Sequence, residues 1–183
     1  RHTGCSSPSL QLWNSWDDLL ERKCTSMRTL LPPKPERFNI SKEFSKLATV
    51  VVTCDLRPNE KGTFETACRY VMTQLRSDGV TPPEVFVNII FAAEDDVVLR
   101  FEPSHYGACF TGIYYPVHKW RARDLNDLQI LTCMVEEMCH IFWCIQDEDK
   151  VKYKVLDVIR VGYPKLNLED LYPYRRVRWN LRL

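Results

Sequence analysis

Residues 124–149 limit the possible folds more than any other stretch, because they carry two chemically different faces at helical spacing. At about 100° per residue, Leu128, Leu131, Met134, Val135, Met138, Ile141, Phe142 and Ile145 share one broad apolar face. Gln129, Cys133, Glu136, Glu137, His140, Cys144 and Asp147 fall opposite them. The apolar set needs a core to lie against. The polar set mixes carboxylates, an imidazole and two thiols; cysteine is among the more buried residue types, so this face is expected to be covered. Glu136, Glu137 and His140 on such a face are the first candidates for chemistry.

The rest of the chain supplies strands and helices for that core. Residues 47–54 are rich in β-branched side chains and predict a strand buried on both faces. Residues 57–62 form a turn, after which Phe64, Ala67, Cys68, Val71, Met72 and Leu75 trace a helix that stops at Ser77-Asp78-Gly79. Residues 85–92 predict a second strand, which Glu94-Asp95-Asp96 turns into a third at 97–101; a fourth spans 108–115. Beyond the central helix, Val151, Val155, Leu156 and Ile159 continue at helical spacing as far as Gly162-Tyr163-Pro164. The order strand, helix, three strands, helix predicts an α+β domain with helices on a mixed or antiparallel sheet. Upstream, Ser9 caps a helix bearing Trp13 and Trp16, which Pro32-Pro33-Lys34-Pro35 ends. The expected organisation is an N-terminal helical arm and connector (1–35), the α+β domain (36–171) and a basic aromatic tail (172–183).

Charge and cysteine usage narrow the function classes. With 25 Lys and Arg against 24 Asp and Glu, no global field draws the chain to nucleic acid, so any such contact must be local. No apolar run is long enough to span a bilayer, and no membrane partner is expected. The 8 cysteines are irregularly spaced, and the chain has aliphatic strands and helices enough to fold without staples; reduced thiols and a cytoplasmic location are expected.

The central helix, reading Val135-Glu136-Glu137-Met138-Cys139-His140, resembles the active-site helix of zincin metallopeptidases, whose motif is H-E-x-x-H. In that family two histidines one turn apart bind zinc and the intervening glutamate activates a metal-bound water. Glu137 matches the general base and His140 the second ligand, while Glu136 stands where the first histidine would be. The order of elements between residues 47 and 147 is also similar to the zincin layout. The resemblance implies zinc as cofactor, with Glu136 and His140 as ligands at i and i+4; it marks no third ligand, and Asp147, two turns on along the same face, is the candidate for it. Asp149, Glu169, His105 and His118 would reach the site only through the fold. Loss of the first histidine implies a weakly active or non-catalytic domain that works through contact with a protein partner, with an active zinc hydrolase using a Glu/His ligand set as the alternative.

Other readings of the same residues remain open. Glu137-x-x-His140 matches one half of a di-iron carboxylate site, but the other such fragment, Glu102-Pro103-Ser104-His105, contains proline. His140 and Cys144 are spaced for a thiolate–imidazole pair, whereas Cys139 and His140, as sequence neighbours, point apart. In the plainest case Glu136, Glu137 and Asp147 are solvated and His140 is a hydrogen-bonded, half-buried side chain. The tail interleaves Arg175, Arg176, Arg178 and Arg182 with Tyr172, Tyr174 and Trp179, as a strip for nucleic acid would; the same residues suit cation–π packing within one protein.

Overall fold

The structure is a computed structural model that describes residues 34, 36–82, 87–93 and 111–173. All of these belong to the compact unit Leu31–Leu183. The expected N-terminal helix with Trp13 and Trp16, the turn at 94–96, the strand at 97–101, His105 and the tail arginines lie outside the described residues.

Three strands form one sheet in the order β1 (Ala48–Val52), β2 (Val87–Ala92), β3 (Thr111–Pro116). Both pairings are parallel, with Ala48 opposite Val87 and Val87 opposite Thr111. The architecture is therefore α/β, which corrects the expected α+β arrangement on a mixed or antiparallel sheet and, with it, the zincin-like layout. The cause lies in the connections. A parallel neighbour requires the chain to return to the starting end of the sheet. From β1 it does so through the long helix α1 (Pro58–Asp78), and from β2 through residues 93–110. The acidic turn at 94–96 suggested an antiparallel hairpin, but the described partner of β2 on that side is β3, running the same way.

The strand pleat sorts the sheet into two rows. Ala48, Val52, Val87, Ile89, Phe91, Ile113 and Tyr115 fall on one row and enter the main core. Phe91 sits among aromatic rings, 5.0 Å from Phe64, 5.1 Å from Tyr115 and 6.4 Å from Trp120 between centroids. β2 is the strand buried on both faces; β1 leaves Thr49 exposed and Val50 and Val51 half-buried, since it is an edge of the described sheet.

Helix α1 starts with Pro58 and with Glu60 accepting the Arg57 amide at 2.7 Å, and ends at Gly79, whose φ of 63° closes the last turn. The short α2 (Val117–Ala122) follows β3 directly. The amphipathic stretch becomes two helices, not one: α3 (Asp127–Phe142) and α4 (Glu148–Ile159). Asn126 and Gln129 form a reciprocal capping box at the start of α3, with both hydrogen bonds at 3.0 Å. The helix ends at Trp143, and the next residue, Cys144, has φ of 53°. Asp147 then caps α4, its carboxylate accepting from the amides of Asp149 and Lys150 at 2.9 and 3.0 Å. Helices α1, α3 and α4 pack on one another, and the short α5 (Leu168–Leu171) closes against α3 and α4. Buried inside, the Tyr115 hydroxyl donates to the Met134 carbonyl at 2.7 Å and ties β3 to α3.

Candidate metal centre

Helix α3 turns its apolar face to the core much as its periodicity requires: Leu131, Met134, Val135, Met138 and Phe142 are buried. Ile130 and Cys139, flanking that face, are buried too. The opposite side keeps Glu136 and His140 half-buried, one helical turn apart. Glu137 stands beside them and is exposed.

The break between α3 and α4 supplies a third group. Because Asp147 is the cap, α4 begins at Glu148, and its carboxylate comes to the imidazole: His140 Nε2 lies 3.8 Å from Glu148 Oε1. One donor atom each from Glu136, His140 and Glu148 falls within 4.8 Å of the others. Ligands of a tetrahedral zinc ion bound at about 2.0–2.1 Å stand about 3.3–3.4 Å apart, so closing this group on a cation requires movements of a fraction of an ångström to about 1.4 Å.

The histidine is already oriented for that role. Its Nδ1 lies 2.6 Å from the Ile145 carbonyl oxygen, a distance at which Nδ1–H donates, and this leaves Nε2 facing Glu148. A backbone carbonyl that fixes the tautomer in this way is the usual support of a metal-binding histidine. Glu136 has its own support, since the Tyr172 hydroxyl, just past α5, donates to Oε2 at 3.3 Å.

Glu136 and His140 are half-buried, whereas Glu148 lies at the solvent side of the group with its side chain 71% exposed. Burial raises the Glu136 carboxyl above its ordinary value; the Tyr172 hydrogen bond works the other way, and the carboxylates of Glu148 and Glu137 add to the rise. Although Glu137 as a residue is exposed, desolvation of its carboxyl by the surrounding protein raises it too, against the pull of His140. The Tyr172 phenol is raised by burial and by Glu136. The three carboxylates outnumber the one imidazole, and a divalent cation fits that negative balance. The mixed nitrogen and oxygen donors suit zinc better than calcium, which takes more oxygen ligands.

Of the residues expected at the site, Glu136 and His140 come together and Glu137 adjoins them. Asp147 does not join them, because α3 ends five residues earlier than a continuous helix through Asp147 would and the carboxylate is engaged in capping. Glu148 takes the place expected of it. The sequence carried a signal for this: an aspartate followed by Glu148 and Asp149 ahead of an apolar repeat is a helix start. Tyr172, grouped with the tail by composition, gave no such sign. Of the helix cysteines, Cys133 and Cys139 are not poised as nucleophiles. Burial pushes the Cys133 thiol up to about 11, Cys139 is raised by burial in the core, and Cys144 directs its thiol to the Ile141 carbonyl at 3.6 Å. Cys54, Cys68, Cys133, Cys139 and Cys144 are all free thiols. Among the described residues no helix is long and apolar enough to cross a membrane.

No family model matches the chain, and neither a curated protein nor a solved structure matches it.

Proposed function

We propose that this chain is a metallopeptidase-like domain whose Glu136, His140 and Glu148 hold a zinc ion, with Glu137 as the neighbouring general base and with weak hydrolytic power. The observation that carries the reading is the His140 imidazole, held by the Ile145 carbonyl so that Nε2 meets Glu148 and faces the side of the helix that carries Glu136. Zinc bound there would polarise a carbonyl and lower the pKa of a bound water. The chain's own part is to orient the three donors and to offer the Glu137 carboxylate, one residue from Glu136 and outside the ligand group, as the place where a proton is held.

The weakness follows from charge. Two carboxylates and one neutral imidazole bring two negative charges to the cation, so it acidifies water less than it would with a second histidine in place of Glu136. A protein that binds zinc but cleaves nothing would then act through contact with a protein partner. The tail arginines add no support to a nucleic-acid role, since they lie outside the described residues.

The deciding experiment is zinc titration of protein purified without chelator, beside His140→Ala and Glu137→Gln. Stoichiometric zinc in the parent, its loss in His140→Ala, and its retention in Glu137→Gln with any peptide hydrolysis abolished are expected. A parent protein that takes up no zinc would defeat the reading.

A further inference from the structure

Glu136 and His140 ride on α3 and Glu148 on α4, so the group exists only while the two helices keep one relative placement. At the far end of α1, Asp78 receives hydrogen bonds from both. Trp143, the residue that ends α3, donates Nε1–H to Asp78 Oδ2 at 2.9 Å. Lys154, in the middle of α4, donates Nζ–H to the same oxygen at 3.0 Å. Gln74 of α1 donates to the other oxygen at 2.8 Å and holds the carboxylate's orientation. The Lys154 ammonium also lies 5.5 Å from the centre of the Trp143 ring, so the two donors contact each other as well as the acceptor. The Asp78 and Lys154 side chains are only 23% and 20% exposed, which spares the pair much of the screening that weakens surface ion pairs.

We infer that Asp78 is a positioning residue for the metal centre, fixing α3 and α4 against each other through Trp143 and Lys154 so that Glu148 is presented to His140; this inference rests on the proposed zinc site. The lever is short but sufficient. Between Lys154 and Glu148 the helix rises about 9 Å, so a tilt of about 10° pivoting near Lys154 shifts the Glu148 carboxylate by roughly 1.5 Å. Against a separation of 3.8 Å, that shift decides whether Glu148 and His140 can share one cation. The loop between the helices also carries the Ile145 carbonyl that sets the His140 tautomer, and Trp143 is its first residue. Asp78 therefore acts on two of the three donors without touching either.

The test measures zinc affinity by calorimetry for the parent, Asp78→Ala, Asp78→Asn and Lys154→Met, each at a temperature where it is fully folded, together with the imidazole ¹⁵N shifts of His140 in metal-free protein. Asp78→Ala is expected to weaken zinc binding about tenfold and to lose the Nδ1–H signature of His140. Asp78→Asn keeps an acceptor for Trp143, and Lys154→Met keeps the aliphatic stem, so each is expected to weaken binding about threefold; they carry the test if Asp78→Ala does not fold. A purely structural role would lower melting temperatures and leave the zinc Kd and the His140 shifts at parental values, and that result overturns the inference. If the parent itself binds no zinc, the proposed function falls and this inference with it, whereas a parent that binds zinc beside variants with parental Kd and shifts overturns the inference alone.

Discussion

Two glutamates of this protein are withdrawn from water in opposite ways. Glu60, at the start of α1, is 1% exposed and fully answered. Arg121 of α2 donates Nε–H to one oxygen at 2.8 Å and a second N–H to the other at 2.7 Å, and the Arg57 amide adds a third bond. Burial pushes this carboxyl up, but the hydrogen bonds and charge of Arg121 and the Arg57 amide outweigh it, and the net shift is downward. Glu136 on α3 is less buried, yet it has a single 3.3 Å bond from Tyr172 and two carboxylates for neighbours, and its net shift is upward. A buried and a half-buried carboxylate of one residue type thus report different situations: Glu60 has its cation built in, whereas Glu136 sits in a group that could hold a cation from solution.

The largest effect should come from breaking the complete pair. Arg121→Met leaves the Glu60 charge buried with only the Arg57 amide to answer it, and should cost about 3 kcal/mol in urea denaturation. At the other centre the cation must be added. Zinc at about a hundred times its Kd should stabilise the protein by about 2.7 kcal/mol, read as a rise in melting temperature. Glu148→Gln and His140→Ala should each abolish that rise, whereas Asp147→Asn, which keeps the capping oxygen and removes the charge, should leave it intact. A loss of the zinc effect in Asp147→Asn would mean that the aspartate, not Glu148, is the ligand.

Acid sharpens the contrast further. A carboxyl whose folded pKa is lowered contributes stability that is fully present above its unfolded value and is lost as pH falls through the folded one. The stability difference between the parent and Arg121→Met should therefore shrink as pH is taken below the ordinary carboxylate range, as measured by denaturation at a series of pH values; a difference that holds constant into acid would rule out the Glu60 ion pair as its source. The smallest effect is that of Tyr172→Phe. Removing one hydrogen bond of 3.3 Å from Glu136 should cost about 1 kcal/mol or less in denaturation, with zinc binding weakened but retained.

Much of the local structure was legible in the residues. The spacing of Leu131, Met134, Val135, Met138 and Phe142 placed the buried side of α3, and the one-turn interval between Glu136 and His140 put them on one face. Ser77-Asp78-Gly79 marked the end of α1. The reading failed where one periodic pattern continued into another: Ile145 and Asp147 fit the register of a longer helix, so the break at Cys144 was hidden and Asp147 stood in for Glu148.

What the sequence by itself determined, then, is whatever depends on neighbours within a turn or two: helix faces, strand segments, caps and the Glu136–His140 pair, because 3.6-residue and 2-residue periods bring those side chains together whatever the rest of the chain does. The tertiary structure alone decided two things. Strand direction depended on how the chain returns between β1, β2 and β3; the apolar run at 47–54 suited a parallel sheet but did not say which strand would pair with it or in which direction. The arrival of Glu148 at His140 depended on the packing of α4 against α3 and on contacts as distant as Asp78, which no local period encodes.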